Sequence, residues 1–245
     1  MRRQSFKGEA GFSLIELLVA MAVALVLMAM ASKVLTECFN VRSRQDTRTA
    51  TIADVQRALN IISREVASAG YGLSTNGVVG CSGALATTCD SDAESIRVRS
   101  NLDRFDTSPA DADTDDANED VKFFLNDSAN TRYLVRYDAN AAVTKATVLA
   151  NRIDALQFHY FDRPVSYTTL TYDPADEDAS LLTDVKDKTG TAQAEVAPDQ
   201  ATYVVIVVAV TLPAVGTPGA DGYQPEAQEM LASDVALRNN NLLNY

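Results

Sequence analysis

Phe12-Ser13-Leu14-Ile15-Glu16-Leu17-Leu18-Val19-Ala20-Met21-Ala22-Val23-Ala24-Leu25-Val26-Leu27-Met28-Ala29-Met30-Ala31 is a run of twenty residues with a single charge, Glu16. Twenty helical residues span about 30 Å, the hydrocarbon thickness of a bilayer, so the run predicts a membrane-spanning helix. The small residues Ala29, Ala31 and Ser32 also admit an ordinary secretory signal cut at its end, and a plain signal anchor is the blandest alternative. Neither accounts for Glu16. A carboxylate inside a spanning helix costs about 2–3 kcal/mol or more, so such a residue is a functional candidate by default.

Before the run stand Arg2, Arg3 and Lys7, which predict a cytoplasmic N-terminus and an exported remainder. After it, helix-compatible sequence continues from Lys33 to Ala69 without proline or glycine, and Gly70 is placed to cap it. Ile52, Val55, Leu59, Ile62, Val66 and Ala69 recur at steps of three and four, an amphipathic stripe that faces a core. Arg42 to Thr51 between them is mostly polar, a solvated neck.

Beyond Gly70 the period changes to two. Tyr71 to Asp92 is loop-rich; Ile96 and Val98 alternate with arginines; Val121, Phe123 and Leu125 share one face, and Tyr133, Val135 and Tyr137 another. Segments at Val143–Ala150, Ile153–Phe161 and Thr202–Leu212 follow, with a closing strand through Met230–Leu237. Tyr203 to Val210 is wholly apolar, too short to cross a bilayer as a helix and rich in β-branched residues, as a central buried strand would be. Acidic or Pro/Gly-rich loops are expected at Asp103–Asp120, Tyr172–Asp187 and Pro213–Pro225. The predicted class is α+β, one long N-terminal helix laid on an antiparallel sheet.

Of the 245 residues 47% are hydrophobic and 22% charged, globular material with a net charge of −12. That acidity, concentrated beyond the basic N-terminus, argues against a nucleic-acid groove. Three cysteines suit an oxidising compartment with one bridge and one thiol left over.

The stretch Lys7-Gly8-Glu9-Ala10-Gly11-Phe12-Ser13-Leu14-Ile15-Glu16 followed by the apolar run resembles the type IV prepilin processing signature. The resemblance implies a type IV pilin fold and a cut between Gly11 and Phe12 by prepilin peptidase, with methylation of the new Phe12 amine. It divides the chain into a leader at 1–11, a transmembrane and assembly half-helix at 12–34, an amphipathic half at 35–70 and a β-rich head at 71–245. Residues 54–72, 153–162 and 234–239 are similar, more diffusely, to PilW-type minor pilins and J-type minor pseudopilins. The implied function is a minor pilin that initiates or primes pilus assembly near the tip. The alternatives are a minor pseudopilin of a type II secretion system and a tip-displayed adhesin module. Implied partners are the peptidase, other major and minor pilins, the inner-membrane assembly platform and membrane lipid. The implied location is the inner membrane with a periplasmic head, then an extracellular pilus. The helix-bending proline of many major pilins is missing from the upper span, which favours a minor subunit.

Physical chemistry gives Glu16 a part in this. A cut at Gly11 leaves a cationic amine four residues away on the same helix face. Pairing with a neighbouring subunit's amine would relieve two charge burials only on assembly, which makes Glu16 a register device. An intramolecular pair with Phe12 is equally compatible with the sequence.

Other candidates follow from spacing. Cys81 and Cys89, eight apart in an exported loop, are read as a disulfide worth about 2–3 kcal/mol, against two free thiols. Cys38 is read as a small core or interface residue of the helix rather than a bridge partner. Asp111, Asp113, Asp115, Asp116 and Glu119, with Asp120, resemble a calcium loop in spacing. Asp116 stands where an EF-hand needs glycine and Lys122 where it needs glutamate, which favours a solvated acidic loop. No other cofactor is expected. His159, the single histidine, is placed on the strand face opposite Leu156, Phe158 and Tyr160; with no zinc spacing and no nucleophile partner, no enzyme is expected.

Overall fold

The computed structural model describes residues 13–80, 90–103, 113–128, 131–177, 179–220 and 222–239. These fall into two compact units, one reaching Asp46 together with Ala214–Pro225, the other Thr47–Pro213 together with the chain from Glu226. Helix α1 (Leu14–Ser68) is continuous through the boundary and close to its predicted limits.

In the first unit the Pro/Gly-rich segment is more than a connection. Val215 and Gln224 exchange backbone hydrogen bonds of 2.9 Å each way, which folds Ala214–Pro225 back on itself. Arg44 donates to the Pro225 carbonyl. Gly222, at φ +78°, lies so close that a Cβ there would stand 3.0 Å from Glu37 Cα. The segment thus rests on one side of α1 near Glu37, Asn40 and Arg44.

In the second unit nine strands form three antiparallel sheets among the described residues. The first has the order β1 (Ser95–Arg99), β2 (Asp120–Ser128), β3 (Thr131–Asp138), β4 (Ala146–Asn151). The second places β8 (Tyr203–Leu212) between β5 (Ala155–Phe161) and β9 (Ala227–Ala236); β6 (Val165–Thr169) and β7 (Leu182–Asp187) make a small third sheet. The expected α+β arrangement of a long helix on antiparallel strands is present, with the strands divided among three sheets rather than one. The expected loop at Tyr172–Asp187 is corrected too, since its end is strand β7. Two short strands with charged, exposed flanks give too little alternation to be read from sequence.

The amphipathic stripe does what its period predicts. Val55, Leu59, Ile62, Val66 and Ala69 are buried with Ile96, Val98, Val121, Phe123 and the β5 and β8 side chains. Ile52 is only half-buried, and Ala58, which the stripe left out, is 1% exposed. Val204, Ile206, Val208 and Val210 face this cluster. Val205, Val207 and Ala209 face a second one built with Phe161, Tyr172, Leu181 and Leu182. A strand covered on both faces has no reason to alternate, which is why Tyr203–Val210 reads as a continuous apolar run. Leu134 enters the helix-facing cluster while Val135 is buried apart from it, across a register shift between β3 and β4. Strand β4 begins at Ala146 rather than Val143, which is 82% exposed, and β9 begins before Met230 at Ala227.

The helix end is tied by backbone bonds and by one side chain. Gly70, at φ +77°, donates to the Arg99 carbonyl (2.9 Å), Arg99 donates to Gly77 (2.7 Å), and Asn101 donates to Tyr71 (2.7 Å). Asn239 Nδ2 donates to the carbonyls of Ser68 and Ala69, supplying partners to a terminus that α-helical geometry leaves unsatisfied.

On the other side of β1 an ionic lattice replaces apolar packing. Arg97 grips Asp120 with two bonds (2.6 and 2.7 Å) and reaches Asp90 at 3.1 Å; Arg99 adds a third bond to Asp120 at 2.8 Å. Burial alone would raise the Asp120 carboxyl, but hydrogen bonds from Arg97 and then Arg99 outweigh it and hold the group below its ordinary range. A depressed pKa means the native state holds Asp120 ionised where the unfolded chain would protonate it. The stabilisation is present above the unfolded value near 3.9 and lost as pH falls through the folded one. Asp120→Asn is therefore expected to destabilise the protein at pH 7, while losing less further stability than wild type between pH 5 and pH 2. Denaturant titrations of the full chain in detergent across that range check both signs.

Candidate functional site

The residues that carry the functional signature stand at the start of α1. Ser13 opens the helix, its carbonyl accepting from the amides of Glu16 (3.0 Å) and Leu17 (3.2 Å). Glu16 lies in the first turn, the one acidic residue there. Around and above it Leu14 is 80% exposed, Ile15 71% and Met28 70%, and the apolar surface continues through Leu35 and Phe39. A soluble protein would not leave such a surface uncovered. The helix is long and apolar enough to cross a bilayer by length and composition. Two hydroxyls at the upper end of its apolar stretch are satisfied within it: Ser32 Oγ donates to Met28 O (2.8 Å) and Thr36 Oγ1 to Ser32 O (3.0 Å), as a hydrocarbon environment requires. Gly11 and Phe12 lie outside the described residues, so the amine expected to pair with Glu16 is a matter of sequence.

Cys81 and Cys89 also lie outside the described residues. Cys38 is exposed on α1 with a free thiol, which corrects its reading as a core residue. If the bridge forms, alkylation of the unreduced, denatured protein labels one cysteine per chain, Cys38; three labels, or a mapped bridge to Cys38, would refute it.

Of the acidic set, Asp111 lies outside the described residues, and Asp113 and Asp115 join no cluster. Asp116 and Glu119 do, together with Asp103, which spacing did not single out; their oxygens lie within 4.8 Å of one another. Glu119, 2% exposed, already accepts from the Leu102 amide with one oxygen and from the Asp116 amide (3.3 Å) with the other. Asp120 belongs to the arginine lattice. Through these two bonds Glu119 serves as a loop tie.

His159 is where the alternation put it, opposite Leu156, Phe158 and Tyr160, which enter the helix-facing core. Its Nδ1 lies 2.7 Å from Glu195 Oε1 and its ring is buried. No serine, cysteine or threonine side chain is bonded to it among the described residues, so nothing there is arranged as a nucleophile–base pair.

Residues 6–32 match the family model of the prokaryotic N-terminal methylation motif, the interval that holds Gly11, Phe12, Glu16 and the apolar half of α1. No curated protein matches the chain, and no solved structure does.

Proposed function

Starting from a type IV prepilin-like protein, we propose that the chain is a minor pilin, a structural subunit that initiates or primes assembly of a type IV pilus near its tip. The observation that carries this reading is Glu16, an acidic residue in the first turn of a helix whose apolar surface is otherwise open to lipid or to like helices. On this reading residues 1–11 are removed by prepilin peptidase and the N-terminal half of α1 anchors the subunit in the inner membrane. That half then packs among the helices of other pilins on the assembly platform, with the head held in the periplasm until extrusion. The uninterrupted α1, free of a helix-bending proline, supports a minor role over that of a bulk pilin.

Deletion of the gene tests it. Loss or sharp reduction of pili, with the subunit present at a few copies per purified filament, supports the proposal. Intact pili with lost protein secretion would assign the pseudopilin role instead, and intact pili with lost adhesion alone would assign the display role.

A further inference from the structure

On the face of the first sheet turned away from α1, a cavity of about 600 Å³ opens where β1 and β2 meet the start of β5. The segment that carries Tyr172 and Glu177 closes its third side. The volume lies in the range of small-ligand sites, and the walls mix aromatic and charged groups as such sites do. Phe124 and Tyr137 present ring surface, and Glu94, Asp154 and Lys122 present charge. Arg132 lines the cavity too, but its guanidinium is already committed to Glu177 (2.7 Å), the Asp154 carbonyl (2.6 Å) and the Tyr172 hydroxyl (3.2 Å). The Asp154 carboxylate is in the opposite situation. Its Oδ2 is buried and accepts no hydrogen bond among the described residues, so no protein donor offsets the charge of that oxygen.

With Arg132 and Glu177 offsetting each other, Asp92, Glu94 and Asp154 outnumber Lys122, and the chain's net charge of −12 adds a field of the same sign. Aromatic rings beside uncompensated carboxylates are the recognition chemistry of an organic cation, attracted by the ring faces and paired by the acids. We propose that this cavity binds a cationic side chain, the ammonium or guanidinium of a lysine or arginine presented by a peptide. The inference goes beyond the pilin reading and does not depend on it.

The full chain, isotope-labelled in detergent micelles, is titrated with the peptide acetyl-Gly-Lys-Gly-amide and with the same peptide acetylated on the lysine. The expected result is saturable shifts confined to cavity residues with the first peptide and none with the second. Asp154→Asn should weaken binding tenfold or more. Lys122→Gln, which removes a like charge from the wall, should tighten it about threefold or more. That second variant keeps the test decisive even if Asp154→Asn fails to fold. Absence of saturable binding, shifts outside the cavity, equal binding of the acetylated peptide, or weaker binding by Lys122→Gln would each overturn the proposal.

Discussion

Glu16→Ala is expected to give a processed, folded, membrane-inserted subunit that enters filaments at least about a hundredfold less often than wild type. The core of the second unit draws from α1 only residues from Val55 onward, so a change in the first turn leaves that packing intact. Insertion does not suffer either, since the substitution makes the span more apolar. On the proposed function, what is lost is the acceptor for the Phe12 amine, left unpaired among packed helices. Removing one member of a buried charge pair costs about 3–5 kcal/mol, and each 1.4 kcal/mol is about tenfold in an equilibrium. Filament yield is compared at native expression, with mass spectrometry confirming that the mature chain begins at a methylated Phe12. Normal piliation under those conditions would show that the carboxylate serves something other than assembly. A chain starting near Ser32 would instead indicate an ordinary secretory signal.

Gly77→Ala is expected to be the most damaging single methyl in the head. Gly77 sits at φ +75°, and a Cβ on it would stand 2.0 Å from Gly70 N and 2.4 Å from Arg99 O. Those are backbone atoms, and they are the same ones that close the helix end on β1, so no side chain can swing away to make room. The strained dihedral costs about 1 kcal/mol. Separating the chains also breaks the Gly70–Arg99 and Arg99–Gly77 hydrogen bonds, at about 1–3 kcal/mol for each group left buried and unpaired. With one unpaired group counted per bond the total is about 3–7 kcal/mol, comparable with the whole stability of many domains. Urea unfolding of the full chain in detergent should show a folded baseline that is lost or displaced by several kcal/mol. An unchanged midpoint would mean that the helix end and β1 are not held as described.

Much of the architecture was legible in one dimension because it depends on periodicity. The helical stripe from Val55 to Ala69 and the unbroken apolar run of β8 each state how many of their faces are covered, and the structure covers them so. His159 could be assigned to a face because Gln157 and His159 alternate with Leu156, Phe158 and Tyr160 along β5. The methylation motif at residues 6–32 was legible for a different reason: it is a contiguous string, so its spacing in sequence is enough to identify it.

What lies between distant segments had no such signal. The third sheet, the brace that Ala214–Pro225 lays on α1, and the Arg97–Asp120–Arg99 lattice unite residues whose separations carry no period. The same holds for Asp103, which spacing alone left outside the acidic set, and for the cavity that gathers Glu94, Lys122, Phe124, Arg132 and Asp154 from four separate segments. Local periodicity and a contiguous motif were enough to determine a helix long and apolar enough to cross a membrane and a sheet that packs against its far end. Which charges become paired, which carboxylate is left without a donor and where a cavity opens depend on strand order and register, and those are decided only when the chain closes on itself.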